Sequence, residues 1–549
     1  MWGRLSFLSI AFILVYCTLI FQVYSLQISN GDIYITKAEE QNKTLEFLKA
    51  LRGAIYFTDK NDNRTPVALN KNYPTIYAVP EKIQDPADAA SKISALLGLD
   101  KAKLLEMFSK QNDPYESILK KATTEQARAA MDLGIKGIYI TDENFRLYQF
   151  NNLGATVLGF IAPTADNDVP KGKYGIESYF NDQLSGENGR IKGDTVENSN
   201  PGEEIVLTID LNIQTKAQEV LSALVEKYNA ESGTIIVQDP YTGKILAMEN
   251  APSFDPNNYA DFKLKDFMNP AVQSIYEPGS VFKLVTMSAG IDSGNLTPDT
   301  TFVDKGFVKL NGRTIKNWDD KAYGKITMTG VIENSVNTGA VYAEKLMGND
   351  VFYNYLIKFG LNEKTGIKLP GEINGDIRKL KTSYKDVDFA TASFGQGVAV
   401  TPLQMISVVS TIANGGTLMK PIIISGDKPQ EVRRVISNET ALKVKDMMVA
   451  AVIKNKMAII PNYYAAGKTG TAQAPDFKNG GYLDEYNHTF VGFLPANNPK
   501  FAVLIRLEKP KGVRVANATV APAFKDLAEF IINYYNIPPD YVDKPLTKK

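Results

Sequence analysis

The chain has 549 residues, with 61 Lys plus Arg against 61 Asp plus Glu, 44% hydrophobic and 22% charged residues, the composition of a globular protein long enough for more than one domain. Charge balance without a long basic run argues against nucleic acid as a partner, because phosphate binding needs a concentrated positive face. One His (His488) and one Cys (Cys17) exclude an intrachain disulfide and leave too few residues for a His-rich zinc site, a Ser-His-Asp triad or a Cys-His dyad. Acyl-transfer or hydrolytic chemistry would have to use another base.

In chain order, Leu5 to Leu26 is uncharged over about the ~20 residues that a bilayer-spanning helix needs. It exceeds the roughly 7 to 15 residues of a signal-peptide core, although Val23 and Ser25 are small enough for a cleavage site. Arg4 precedes it and no basic residue follows until Lys37, so the expected arrangement is an uncleaved transmembrane anchor over 1–27 with the bulk of the chain outside the cytoplasm. Cys17 falls inside this segment and reads as a small apolar residue facing lipid.

Residues 28–205 read as a mixed α/β unit. Helices are expected over Pro86 to Leu97 and Asp100 to Ser109, from the apolar spacing of Ala89, Ile93, Leu96, Leu97 and of Leu104, Leu105, Phe108 around Gly98 and Asp100. The turn-rich stretches at 185–189 and 199–202 precede a new ordered region beginning at Ile205, which sets the domain boundary at 205/206. In residues 206–549, two hairpins are expected: Thr234 to Gln238 with Lys244 to Met248, and Thr489 to Leu494 with Phe501 to Arg506. Mostly helical patterns lie between them, including Leu403 to Ile412 and Glu439 to Val452. An antiparallel sheet carrying a helical subdomain makes this an α+β domain.

Three short patterns carry candidate chemistry. Pro278-Gly279 opens a nearly all-apolar helix in which Lys283 lies three residues, one turn, after Ser280. Burial favours a neutral lysine, and a neutral amine beside a hydroxyl is a general base that needs no histidine. Ser335-Val336-Asn337 follows the helical Val331-Ile332, and Lys468-Thr469-Gly470-Thr471 lies in a small-residue strand. Each spacing also occurs elsewhere, at Ser117/Lys120, Ser425/Lys428, Ser293-Gly294-Asn295 and Lys364-Thr365-Gly366. Only Ser280 has the Pro-Gly start and the apolar helix.

Taken in order, Ser-x-x-Lys, Ser-x-Asn and Lys-Thr-Gly resemble the signature of penicillin-binding proteins and class A β-lactamases, with Val336 where Asp is common. Landmarks at 241–248, 252–257, 276–283, 394–397, 401–404 and 490–493 resemble a transpeptidase domain of the serine β-lactamase-like fold. Arg52-Gly53-Ala54-Ile55, Arg146-Leu147-Tyr148 and Gly175-Ile176-Glu177 resemble the pedestal of class B penicillin-binding proteins. Thr58-Asp59-Lys60-Asn61 departs from the Asp-Arg-Asn-Gly turn usual after the first of these, and Tyr276-Glu277-Pro278-Gly279-Ser280 is more similar to division-type (septal, penicillin-binding protein 3) than to elongation-type members.

The resemblance implies a monofunctional peptidoglycan D,D-transpeptidase. Ser280 would attack between the two terminal D-alanines of a stem peptide, and Lys283 would take its proton. Ser335 and Asn337 would relay protons and orient the lysine, while Lys468, Thr469 and Thr471 of the Lys-Thr-Gly strand around Gly470 would meet the substrate carboxylate. The backbone amides of Ser280 and Thr471 would form the oxyanion hole. No metal or cofactor is expected. The implied partners are stem peptides and their lipid-linked precursor, β-lactams as inhibitors, a SEDS-type glycosyltransferase, divisome proteins and the membrane.

The alternatives are a D,D-carboxypeptidase using the same residues and a catalytically silent cell-wall scaffold. A class A β-lactamase would be about half as long, with a glutamate-bearing deacylation loop that is not found here, and the 28–205 pedestal leaves little room for a glycosyltransferase domain. Outside the three motifs, Asp59 to Asn63 begins like a calcium loop, but Arg64 stands where its turn needs Gly, so it reads as an exposed turn. His488 reads as a structural side chain and Asp319-Asp320 as a solvated pair.

Overall fold

The computed structural model describes residues 2–25, 49–110, 113–164, 167–192, 195–476 and 479–541. Helix α1 (Trp2–Tyr24) carries the apolar run, with Phe12, Ile13, Cys17 and Phe21 exposed. Among the described residues, no helix is long and apolar enough to cross a membrane. The expected end of the anchor at Gln27 and start of the pedestal at Ile28 lie outside the described residues. The chain divides into two compact units, residues 1–53 with 182–203 and residues 54–181 with 204–549. In the smaller unit, the Gly53 amide donates to the Leu184 carbonyl at 2.8 Å and the Ala50 amide to Asn188 Oδ1 at 2.8 Å.

The larger unit opens with β1 (Ile55–Thr58) and the long β2 (Thr65–Ala78), then α2 (Pro86–Leu97), α3 (Lys101–Phe108), β3 (Glu116–Leu119), α4 (Thr124–Asp132) and β4 (Ile138–Tyr148). Both expected helices form for identifiable reasons. Asp85 caps α2 by accepting from the Ala87 and Asp88 amides, Pro86 stands at its first position, and Gly98 ends it in the left-handed region. Asp100 caps α3. Strand β2 pairs antiparallel with β1, β3 and β4, and β5 (Ile205–Asp210) joins β1 in parallel, Ile55 opposite Ile205. Two of the pedestal-like sequence landmarks meet here: Arg146 Nε donates to Glu177 Oε1 at 2.8 Å, and Tyr148 donates to the same oxygen at 3.2 Å.

After α5 (Leu211–Tyr228), the expected hairpins form as β6 (Ser232–Gln238) with β7 (Ile245–Ala251) and, near the C-terminus, β9 (Tyr482–Leu494) with β10 (Phe501–Glu508). With β8 (Ala466–Pro475) they make an antiparallel sheet in the order β7-β6-β10-β9-β8. The intervening helices include α6 (Lys283–Asp292), α7 (Met328–Asn334), α8 (Asn337–Met347), α9 (Asp386–Ala392), α10 (Pro402–Ala413) and α11 (Asn438–Asn455). Helix α12 (Val520–Tyr535) follows the last strand. One sheet face packs on α5 and α12 through Ile213, Leu221, Ile235, Phe490, Ile505, Phe524 and Ile531. Alternate residues such as Ile236, Val491 and Leu504 point to the other face, where α10, buried at every position, packs on β6, β9 and β10. Burial on both faces explains why β10 reads as a continuous apolar run.

Within this core, Glu249 of β7 is almost completely buried. Its Oε2 accepts from Gln214 Nε2 at 2.5 Å and from the Gly154 amide at 3.2 Å. Burial pushes its carboxyl up to about 8. The folded chain therefore holds a proton that the unfolded chain, with Glu near ~4.3, releases across that window. More protons bound in the folded state means stability falls as pH rises. Relative to Glu249→Gln, the wild type is expected to lose stability on the order of a few kcal/mol between about pH 5 and 8, read as diverging melting temperatures across a pH series; parallel curves would contradict a buried neutral carboxyl.

Candidate active site

Ser280 sits in a 3-10 turn, Gly279–Phe282, and the α-helix begins only at Lys283. The Pro-Gly start predicts a plain helical first turn; the tighter turn found here stacks side chains three apart one above the other. Gly279 starts it at φ +59°, and its amide donates to the Gly395 carbonyl at 3.1 Å. The helix after it is buried from Lys283 to Ile291, as its apolar sequence requires. Lys283 Nζ lies 3.0 Å from Ser280 Oγ.

The Ser-x-Asn segment is the joint between α7 and α8. Ser335 caps α7 in the left-handed region (φ 56°), a conformation that costs a non-glycine residue on the order of 1 kcal/mol. Its carbonyl accepts from Lys283 Nζ at 2.7 Å, and its Oγ lies 3.2 Å from the same nitrogen. Asn337, first residue of α8, accepts from Lys283 through Oδ1 at 2.9 Å, while its Nδ2 donates to the Lys316 carbonyl at 3.0 Å and so fixes which way the amide faces.

Strand β8 brings the third motif alongside. A side chain at Gly470 would meet the Pro278 carbonyl at 2.9 Å and Val281 Cγ1 at 3.1 Å, so a glycine lets the strand approach the turn carrying Ser280. Lys468 Nζ donates to Ser335 Oγ at 3.1 Å and to the Thr469 carbonyl at 2.8 Å. Thr471 Oγ1 accepts from the Ala516 amide at 3.1 Å, leaving its own proton for another acceptor. Ser280, Ser335, Asn337, Lys468, Thr469 and Thr471 line one cavity of about 700 Å³, with Lys283 buried behind Ser280.

Burial sets the protonation state, and the hydrogen bonds then assign the roles of the neutral amine. Burial, reinforced by the Lys468 charge, holds Lys283 far below the usual lysine range, and burial lowers Lys468 to about 7. A neutral Lys283 has two N–H donors and one lone pair. The Ser335 carbonyl and Asn337 Oδ1 can only accept, so they take the two N–H groups. The lone pair is left for a serine hydroxyl, which is the geometry of a general base. Ser335 Oγ, between both lysine nitrogens, connects them.

None of the duplicate spacings lines this cavity. Ser117 is in β3, Ser293 folds back onto the Ala289 carbonyl, and Thr365-Gly366 is bound by the Glu372 carboxylate. His488 is fully buried with Nδ1 2.8 Å from Thr519 Oγ1, and burial pushes its imidazole down to about 4. Asp320 is exposed as expected, but Asp319 is not: its carboxylate is mostly buried and accepts from Tyr323 at 2.9 Å. Sequence reasoning missed Trp318, Arg313, Tyr482, Tyr486 and Arg514 as cavity walls. Trp318, 58% exposed and one of two tryptophans, was the one visible signal.

The description Penicillin binding protein transpeptidase domain matches residues 233–529, and Penicillin-binding Protein dimerisation domain matches 47–209. The chain belongs to the class B penicillin-binding proteins. It is 33% identical to stage V sporulation protein D of Bacillus subtilis, covering 84% of this chain and 75% of that one. It is 30% identical to the probable peptidoglycan D,D-transpeptidase PbpC of Pseudomonas aeruginosa, covering 89% and 87%. The crystal structure of penicillin binding protein 3 from Mycobacterium tuberculosis complexed with aztreonam is similar at 27% identity and a TM-score of 0.68, covering 90% of this chain and 98% of that one. This class B penicillin-binding protein is a peptidoglycan D,D-transpeptidase.

The two lysines are expected to fail differently when replaced by Arg, which cannot accept a proton. Lys283→Arg should lower the second-order rate of acylation by a β-lactam by ~10² to 10⁴, the worth of a positioned base. Lys468→Arg keeps the neighbouring charge and should lose less. Equal losses in folded variants would contradict this division.

Proposed function

We propose that Ser280 is the nucleophile of this transpeptidase and Lys283 its base. The observation that carries this reading is the saturation of both Lys283 N–H groups by the Ser335 carbonyl and Asn337 Oδ1, with Ser280 Oγ 3.0 Å away. Ser280 Oγ attacks the carbonyl between the terminal D-alanines, its proton passes to Lys283, and the backbone amides of Ser280 and Thr471 hold the developing oxyanion. The proton then reaches the departing D-alanine amine through the Lys283, Ser335 and Lys468 chain. An amine of a second stem peptide attacks the acyl ester, loses its proton to the base and restores the Ser280 hydroxyl. Lys468, Thr469 and Thr471 hold the donor carboxylate, and Gly470 lets their strand come near enough. A β-lactam follows the first half of this course and stops at the acyl-enzyme.

The finer reading keeps the sequence boundaries: an anchor over 1–27, a pedestal over 28–205 and a transpeptidase domain over 206–549, with the large domains outside the cytoplasm. The matches over 47–209 and 233–529 support the two extramembrane parts, and the uncharged run after Arg4 supports the anchor. A septal role beside a SEDS-type glycosyltransferase and divisome proteins, acting on lipid-linked precursor, rests on Tyr276-Glu277-Pro278-Gly279-Ser280.

Fluorescent penicillin should label the purified chain, and mass spectrometry should place the adduct on Ser280 alone. Ser280→Ala should abolish both the label and the cross-linking of lipid-linked substrate. An adduct on another serine would overturn the assignment, and acylation without cross-linking would move the activity to carboxypeptidation.

A further inference from the structure

Helix α8 starts at the candidate active site with Asn337 and carries an acidic side chain, Glu344, two turns on. Glu344 is 3% exposed, makes no side-chain hydrogen bond, and has Oε1 wholly buried. It lines a cavity of about 820 Å³ that shares no lining residue with the cavity around Ser280. Helix α9 separates the two: Val387, Asp388 and Thr391 face the Ser280 cavity, while Asp386 and Phe389 face this one. A buried acceptor without a donor costs ~1 to 3 kcal/mol, more for a charged group, and the mechanism above makes no use of it.

The remaining wall chemistry selects the donor. Tyr353, Tyr384 and Phe389 offer aromatic faces, Tyr384 being 99% exposed, and Leu310, Val341 and Leu380 offer aliphatic ones. Aromatic rings and a carboxylate together favour an organic cation with an apolar body. Among such cations, a primary ammonium brings N–H donors to a carboxylate that has none, and a quaternary one does not. We propose that this cavity is a binding site for a primary alkylammonium group, with Glu344 as its hydrogen-bond acceptor, Asp386 as a second negative charge and Tyr353, Tyr384 and Phe389 around its alkyl chain.

The other charged groups lining the cavity are Lys345 on α8, Asp350, and Lys381 on the Arg378–Thr382 helix. Neither lysine is ion-paired with Glu344. Burial, with Asp386 adding and Lys345 opposing, pushes the Glu344 carboxyl up to about 7. An alkylammonium remains charged well above that pH, so binding should strengthen as Glu344 ionises, roughly tenfold from pH 6 to pH 8.

The test is saturation-transfer NMR titration of the full chain with n-butylammonium at both pH values, with saturating penicillin present so that the Ser280 cavity is occupied. Binding about tenfold tighter at pH 8, several-fold weaker binding of tetramethylammonium, and loss of the pH dependence in Glu344→Gln would support the site. Circular dichroism checks that this near-isosteric variant is folded. Absence of binding, equal binding of tetramethylammonium, or an unchanged pH dependence in Glu344→Gln would overturn it.

Discussion

A lysine amine kept out of water is the constraint around which the catalytic half of this chain is arranged. A buried ammonium is costly, and one hydroxyl partner would not offset that cost. Lys283 is instead given two obligate acceptors from one short joint, the Ser335 carbonyl and Asn337 Oδ1, and a second lysine that penalises its charged form. Each requirement reaches outward. The carbonyl points inward because Ser335 is left-handed, the amide because Asn337 is tied to Lys316, and the second lysine because β8 runs beside the turn carrying Ser280.

Among the described residues, none of those lining the candidate site is a histidine. The sole imidazole, His488, is buried on β9 and held neutral, with Thr519 beside it. In the proposed mechanism, proton movement is left to two amines and two hydroxyls, with both amines shifted by burial and Lys283 also by the Lys468 charge. Such a pair titrates as a unit.

Much of this was legible in the sequence because the signals were local. Asp85, Pro86, Gly98 and Asp100 marked two helices, and apolar runs with Pro and Gly turns marked both hairpins. The three motifs announced the candidate site, and Arg146 and Glu177, far apart in sequence, meet as a buried ion pair. What escaped depended on distant neighbours. The 3-10 geometry at Ser280 depends on Gly395, more than a hundred residues away, and Asp319 loses its solvent to Tyr323. The cavity walls at Tyr482, Tyr486 and Arg514 follow from strand register and from the loop after β10, which no short motif encodes.

The position of β8 at the end of its sheet has a consequence for recognition. Among the described residues it pairs with β9 on one side only, so no described strand uses the main-chain donors and acceptors along its other edge. An extended peptide laid along that edge can be held by its own backbone, whatever most of its side chains are. One rigid edge of this kind can therefore accept extended peptides of differing side-chain composition.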